Sequence, residues 1–321
     1  MRRALKVGFA IVVTLAALWI ATPSSIGGYA TVAAPGDDLD GWIAERERLV
    51  DAAYRLVPGT EARIRWQSPG ERSEYAVVHL HGFSASRQET APLAERLADR
   101  LEANLFEARL DGHGQLSWPM ADVSAEDWLQ DAATAFAIGE AIGDKLVVIT
   151  TSTGGTLALA MIGHPRMQSV DTLVLIAPNM MPADPAAQWL TRPGGPLIAR
   201  LLVGETRSWL AHNAKQATYW TTTYPTEAIV EVMRLVDFAN GKLPAAIDQN
   251  LLVFQSPDDI IVSPAAARAA YDAIDAPRKR WVDVSEAGDP SNHVLAGDIL
   301  SPGNTQPFID EIVSFVRSEA R

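Results

Sequence analysis

Apolar residues along this chain gather into short unbroken runs, separated by stretches with helical spacing. Tyr75-Ala76-Val77-Val78-His79-Leu80, Asn104-Leu105-Phe106-Glu107-Ala108-Arg109, Leu146-Val147-Val148-Ile149, Thr172-Leu173-Val174-Leu175-Ile176-Ala177-Pro178 and Leu251-Leu252-Val253-Phe254-Gln255 are runs of this kind. Such runs predict strands covered on both faces, as in a parallel sheet. Ala62-Arg63-Ile64-Arg65-Trp66 alternates and predicts an edge strand, and Arg280-Trp281-Val282-Asp283-Val284 predicts a last one. Between them the spacing predicts helices. One runs from Leu39 to Leu56, with Leu39, Trp42, Ile43, Leu49 and Ala53 on similar faces, and stops near Pro58-Gly59. Others run from Gln88 to Leu101, from Ser124 to Ile142, from Gly154 to near Gly163, from Pro264 to Ile274 and from Gln306 to Arg317. Ser124 followed three residues later by Asp127 marks a helix start, and Gly143 marks the stop.

Alternating strands and helices imply an α/β fold, with a mostly parallel sheet and helices on both faces. The alternation breaks between Asn179 and Asp248, a Pro- and Trp-rich stretch that predicts helix or irregular structure and no strand. It is expected to be a helical cap of about residues 179–248, inserted into a domain of residues 37–321.

Composition narrows the classes. The chain has 321 residues, 48% hydrophobic and 21% charged, which suits one large domain with a sizeable core. A formal net charge of -12 argues against a nucleic-acid partner, since phosphate binding needs a basic face. With no cysteine, disulfides, thiolate metal sites and a cysteine nucleophile are excluded. No cluster has metal-ligand spacing and no Gly-rich loop has the context for nucleotide phosphates, so neither metal nor cofactor is expected. Nothing in the pattern speaks to oligomeric state.

The N-terminus is different. Met1-Arg2-Arg3-Ala4-Leu5-Lys6 is basic, Val7 to Ala21 is apolar and uncharged, and small residues follow as far as Ala34. This is the layout of an export signal, so residues 1–36 are expected to be a cleaved signal or an N-terminal membrane anchor plus linker. The folded part would then stand outside the inner membrane, periplasmic or anchored.

In open α/β sheets, active groups collect beyond the carboxyl ends of the strands. The strands here run into His81-Gly82-Phe83, Asp111-Gly112-His113-Gly114, Ser152, Pro257-Asp258-Asp259 and Ser291-Asn292-His293. A serine, a carboxylate and a histidine thus end strands in that order. Ser152 taken alone has two readings, a nucleophile on a strand-to-helix turn or a helix cap. The ordered set favours the nucleophile.

With these residues in place, the sequence resembles the α/β-hydrolase superfamily, in its monoacylglycerol-lipase-like and carboxylesterase-like branch. The resemblance covers roughly Arg63 to Ser318 and rests on His81-Gly82-Phe83, Asp111-Gly112-His113-Gly114, Ser152-Thr153-Gly154-Gly155, Asp259 and His293. It implies a serine hydrolase of carboxylic esters acting through an acyl-enzyme, with Ser152 as nucleophile, His293 as base and Asp259 as the acid orienting it. Asp258 is a competitor, but an acid followed by an apolar pair and a small residue fits Asp259-Ile260-Ile261-Val262-Ser263 better. The oxyanion hole implied is the N–H of Phe83 and the N–H of Thr153. Thr150 departs from the family's Gly-x-Ser-x-Gly and puts a branched side chain where the turn is crowded. His113 is expected to hold neighbouring loops, His81 to support the oxyanion loop, and His79, His164 and His212 to be ordinary. In the cap, Trp189, Trp209 and Trp220 are candidates for lining an apolar pocket for a small-molecule or lipid-like ester. Rival readings are a triad hydrolase of amides or thioesters, and a non-catalytic envelope protein that binds through the same fold.

Overall fold

The computed structural model describes residues 25–28, 36 and 38–318. The expected signal or anchor therefore lies outside the described residues, apart from 25–28 and 36. Among the described residues no helix is long and apolar enough to cross a membrane.

The apolar runs form the sheet. Strands β1 (Arg63–Arg65), β2 (Ser73–Leu80), β3 (Asn104–Glu107), β4 (Gly143–Thr151) and β5 (Val170–Ile176) come first. A long excursion follows, and then β9 (Asn250–Gln255) and β11 (Lys279–Asp283). The excursion holds the short strands β6 (Thr206–Ser208), β7 (Thr223–Pro225) and β8 (Ala245–Ala246), and β10 (Ile274–Asp275) precedes β11. The main sheet has the order β1-β3-β2-β4-β5-β9-β11. β1 is antiparallel to β3 and the remaining pairs are parallel.

Period-two alternation sends neighbouring residues of one strand to opposite faces. Val78, Val148, Leu173 and Val253 belong to the core under helices α3 (Ala125–Ile142) and α4 (Thr153–Ala160). Val77, Val147, Val174 and Leu252 belong to the core under α2 (Leu93–Leu101) and α9 (Thr305–Arg317). Both faces are covered, which is why these strands read as continuous apolar runs. Ser124 caps α3 in a reciprocal capping box with Asp127, as the sequence predicts.

Three expectations are corrected. In α1 (Leu39–Tyr54) the buried residues are Leu39, Ile43 and Glu47, whereas Trp42 and Leu49 are exposed. Glu47 turns inward to bind the buried Arg109 guanidinium at 2.7 Å, so a salt bridge and not Leu49 continues the buried face begun by Leu39 and Ile43. Next, α2 starts at Leu93 and not near Gln88, because residues 88–92 form a turn that delivers the Glu89 carboxylate to the N–H of Gly82. Finally, the stretch from 179 to 248 does contain strands. β6 and β7 pair antiparallel, too short and too polar to carry an alternation signal. Around them lie α5 (Gly195–Val203), α6 (Ala214–Tyr219) and α7 (Thr226–Asn240), with α8 (Pro264–Asp272) following β9. Val232, Met233 and Val236 of α7 share a core with Leu157 and Leu159 of α4. The excursion is thereby seated over the helix that follows Ser152.

Candidate active site

The pairing of β2 with β4 sets Leu80 opposite Thr150. The loops leaving those strands, His81-Gly82-Phe83 and Thr151-Ser152-Thr153, are therefore neighbours at the carboxyl edge of the sheet. They approach so closely that a Cβ on Gly154 would lie 2.2 Å from the Leu80 carbonyl oxygen and 2.9 Å from that of His81. Gly154→Ala is expected to cost at least about 1–3 kcal/mol, because the obstacle is backbone and cannot rotate away. A lowered Tm in thermal unfolding would show it, and an unchanged Tm would contradict the packing described.

Ser152 sits on the turn with φ 52° and ψ -115°, a conformation that L-residues seldom adopt. Its backbone is held from both sides: the N–H donates to the Ile176 carbonyl at 2.9 Å, and the carbonyl accepts from Gly155 and Asn179. Ser152 stands at the N-cap position of α4, but its side chain makes no capping hydrogen bond, so its hydroxyl is not engaged by the helix it precedes. Thr150 is accommodated two residues earlier. Its hydroxyl donates to the Val174 carbonyl at 3.1 Å, while Gly155 on the same turn packs on Pro178, where a Cβ would come within 2.9 Å.

His293 lies in the loop after β11. Its Nδ1 is 2.8 Å from Asp259 Oδ2. Asp259 is itself fixed by the N–H groups of Ile261 and Val262 on Oδ1 and by Gln255 Nε2 on Oδ2. Asp258 is exposed to solvent. A second carboxylate, buried Asp289, accepts from the N–H groups of Ser291, His293 and Val294 and so shapes the loop. Burial opposes a charge on His293, but the charge and hydrogen bond of Asp259, with Glu89 and Asp289 adding to them, raise its pKa above the usual value. Other buried histidines go the opposite way. Desolvation lowers His79 and His113 to about 4 and His81 well below its ordinary range. Hence His293, although buried, has its proton affinity raised where His79, His81 and His113 have theirs lowered.

Ser152 and His293 open onto one cavity of about 730 Å³, also lined by Phe83, Thr153, Trp189, Trp209 and Trp220. The two are not hydrogen-bonded to each other here. Among the described residues, the N–H groups of Phe83 and Thr153 have no protein acceptor. Of the three tryptophans, Trp220 is buried, Trp209 half-buried and Trp189 exposed. His212 joins the wall, with Nε2 3.9 Å from Asp289. His113 accepts from the N–H of Ser84 at 3.0 Å, and His81 Nε2 accepts from that of Leu110 at 3.2 Å, so both tie the Phe83 loop to the Asp111–Gly114 turn. Among the described residues no group of three or more His, Cys, Asp or Glu could hold a metal ion.

Sequence reasoning missed Glu89 and Asp289. Asp289-Pro290-Ser291 carries a turn signal that points to its loop role, while the spacing puts Glu89 inside a helix and marks it with no signal.

A family model described as serine aminopeptidase S33 matches residues 71–287. A thermostable monoacylglycerol lipase from Bacillus sp. (strain H-257) is 25% identical over 232 residues, spanning 72% of this chain and 88% of that protein. Among solved structures, one reported for LipS and LipT, two metagenome-derived lipolytic enzymes, superposes with a TM-score of 0.66 at 23% identity. It covers 82% of this chain and 100% of its own. Monoacylglycerol lipase from Paleococcus ferrophilus gives 0.57 at 16% identity, covering 80% and 98% respectively.

Proposed function

Since the chain belongs to the serine aminopeptidase S33 family and has the α/β-hydrolase fold, we propose that it hydrolyses carboxylic esters, with lipid-like esters as its natural class. The observation that carries this reading is the strained turn of Ser152 on the same cavity wall as a histidine bonded to a buried aspartate. Ser152 attacks the ester carbonyl while His293 takes its proton, because a serine hydroxyl is too weak a nucleophile unaided. Asp259 holds the imidazole in the tautomer that presents Nε2 to the serine and stabilises its charged form. The free N–H groups of Phe83 and Thr153 receive the oxyanion. His293 then returns the proton to the leaving alcohol, and water hydrolyses the acyl-enzyme by the same route in reverse.

A lipid-like acyl group is supported by the apolar wall and by the named activity of the Bacillus relative. It is supported too by the rim, where Leu201 and Leu202 of α5 are 77% and 83% exposed. An apolar rim beside an apolar cavity suits a substrate presented in aggregates. Leu201→Asp, on the rim but outside the cavity lining, is expected to lower hydrolysis of a dispersed long-chain ester about tenfold, the worth of one leucine leaving water. A soluble short-chain ester should be cleaved within about twofold of wild type. Equal effects on both substrates would remove the rim from the proposal.

The test of the reaction class is a panel of matched p-nitrophenyl esters, thioesters and anilides across chain lengths. Preference for the esters supports the proposal; preference for anilides or thioesters transfers the same residues to another acyl bond. Failure of a fluorophosphonate to label the wild-type protein would favour the binding-protein reading. The basic and apolar N-terminus supports an exported or membrane-anchored location. Fractionation of cells expressing the full chain tests it.

A further inference from the structure

Glu89 is a carboxyl in the cavity wall to which the reaction just described gives no task. It is 2% exposed. Its Oε2 accepts the Gly82 N–H at 2.7 Å, one residue before the Phe83 donor. Oε1 has no hydrogen-bond partner among the described residues. Gly82 is enclosed between this carboxyl and the serine: a Cβ there would lie 2.9 Å from Glu89 Oε1 and 3.2 Å from Ser152 Cβ. The turn that carries Glu89 is stapled to the loop of His293 as well. Asp298 N–H donates to the Ala91 carbonyl at 2.8 Å, and Gly297, at φ +105°, packs directly on Glu89 and Thr90. One short turn thus touches the donor loop on one side and the histidine loop on the other.

We propose that Glu89 is a positioning residue for the Ser152–His293 chemistry proposed above, its carboxylate fixing the Gly82-Phe83 loop in donor geometry and setting a negative charge opposite His293. A hydrogen bond from a backbone N–H to an ionised carboxylate is stronger than one to a neutral acceptor, so the loop is held most firmly when Glu89 is charged. The groups that act on Glu89 are the Gly82 N–H, His293 and Asp289, with Asp259 behind His293 and His212 beside Asp289. Burial raises the Glu89 carboxyl to about 7, Asp289 adds to this, and the Gly82 N–H and His293 oppose it. In return, Glu89 is one of the charges that raise the proton affinity of His293.

The sign follows. As a base, His293 must be neutral, so kcat/KM rises with pH through its pKa. Glu89→Gln keeps an oxygen for the Gly82 N–H but removes the charge, so the acid limb of kcat/KM should move to lower pH. Glu89→Ala removes the acceptor too and lets the donor loop shift. Its kcat per active site should fall about 10- to 100-fold with KM within about threefold, short of the roughly 10²–10³ for outright loss of a donor. Active sites are counted by fluorophosphonate labelling, which corrects for misfolded protein; if Glu89→Ala does not fold, the Glu89→Gln profile decides. A residue that only supports the fold would change the count of sites and leave the acid limb in place. An unmoved acid limb in Glu89→Gln, or wild-type kcat per site in Glu89→Ala, overturns the proposal while leaving the hydrolase reading intact. A wild-type protein that does not label overturns both.

Discussion

Replacing Ser152 by alanine is expected to lower ester turnover on the order of 10⁴–10⁶-fold, the loss typical of a nucleophile acting in concert with its base. The effect on stability should be small. What holds Ser152 in place is its backbone, through Ile176, Gly155 and Asn179, and its hydroxyl makes no structural hydrogen bond. Alanine meets the same demand for positive φ that serine already meets, so the strain of the turn is unchanged. Thermal unfolding should therefore superpose on that of wild type, while p-nitrophenyl ester hydrolysis and fluorophosphonate labelling both disappear. Undiminished hydrolysis by Ser152→Ala would end the proposed mechanism.

Asp259→Asn carries the second large effect, on the order of 10⁴-fold in kcat. Asp259 accepts four hydrogen bonds: from His293 Nδ1, Gln255 Nε2 and the N–H groups of Ile261 and Val262. An asparagine has only one oxygen for these donors and turns an N–H₂ group toward some of them, favouring the imidazole tautomer that cannot take the serine proton. Loss of the charge has a further consequence. Burial already opposes the imidazolium, and without Asp259 the main contribution raising the His293 pKa is gone. The residual activity should therefore have its acid limb at lower pH than wild type. Asp258→Asn is the matched control, expected to stay within about twofold because Asp258 is exposed to solvent. Measuring kcat/KM against pH for both variants checks the assignment. A large loss in Asp258→Asn, with Asp259→Asn near wild type, would reverse it.

Much of the scaffold was legible because burial on two faces leaves a local mark. Val147 and Val148 serve opposite cores, so a central strand has no polar side to show. The box between Ser124 and Asp127 spans one turn and is written in adjacent residues. Elements that lean on distant partners were misread. Glu47 lies where an apolar stripe was expected, because its partner Arg109 is 62 positions away. The turn at residues 88–92 reads as helix in the sequence because the N–H that claims Glu89 belongs to another loop. The pair β6–β7 has three residues per strand and exposed side chains in β6, too little for any periodicity.

The candidate site divides along the same line. By itself, the sequence determined which residues end the strands, and therefore that Ser152, His293 and one of two adjacent aspartates stand at the same edge of the sheet. Parallel strand pairing makes that inference local, since the end of a run can be read without knowing its neighbours. Only the tertiary structure set Asp259, already favoured over Asp258 by its following residues, against His293, brought Glu89 beside Gly82 and Ser152, and engaged the Thr150 hydroxyl with the Val174 carbonyl. Two neighbouring aspartates have the same local chemistry. What separates them is which carboxylate meets an imidazole 34 residues further on, a matter of relative placement on which hydrophobic periodicity is silent.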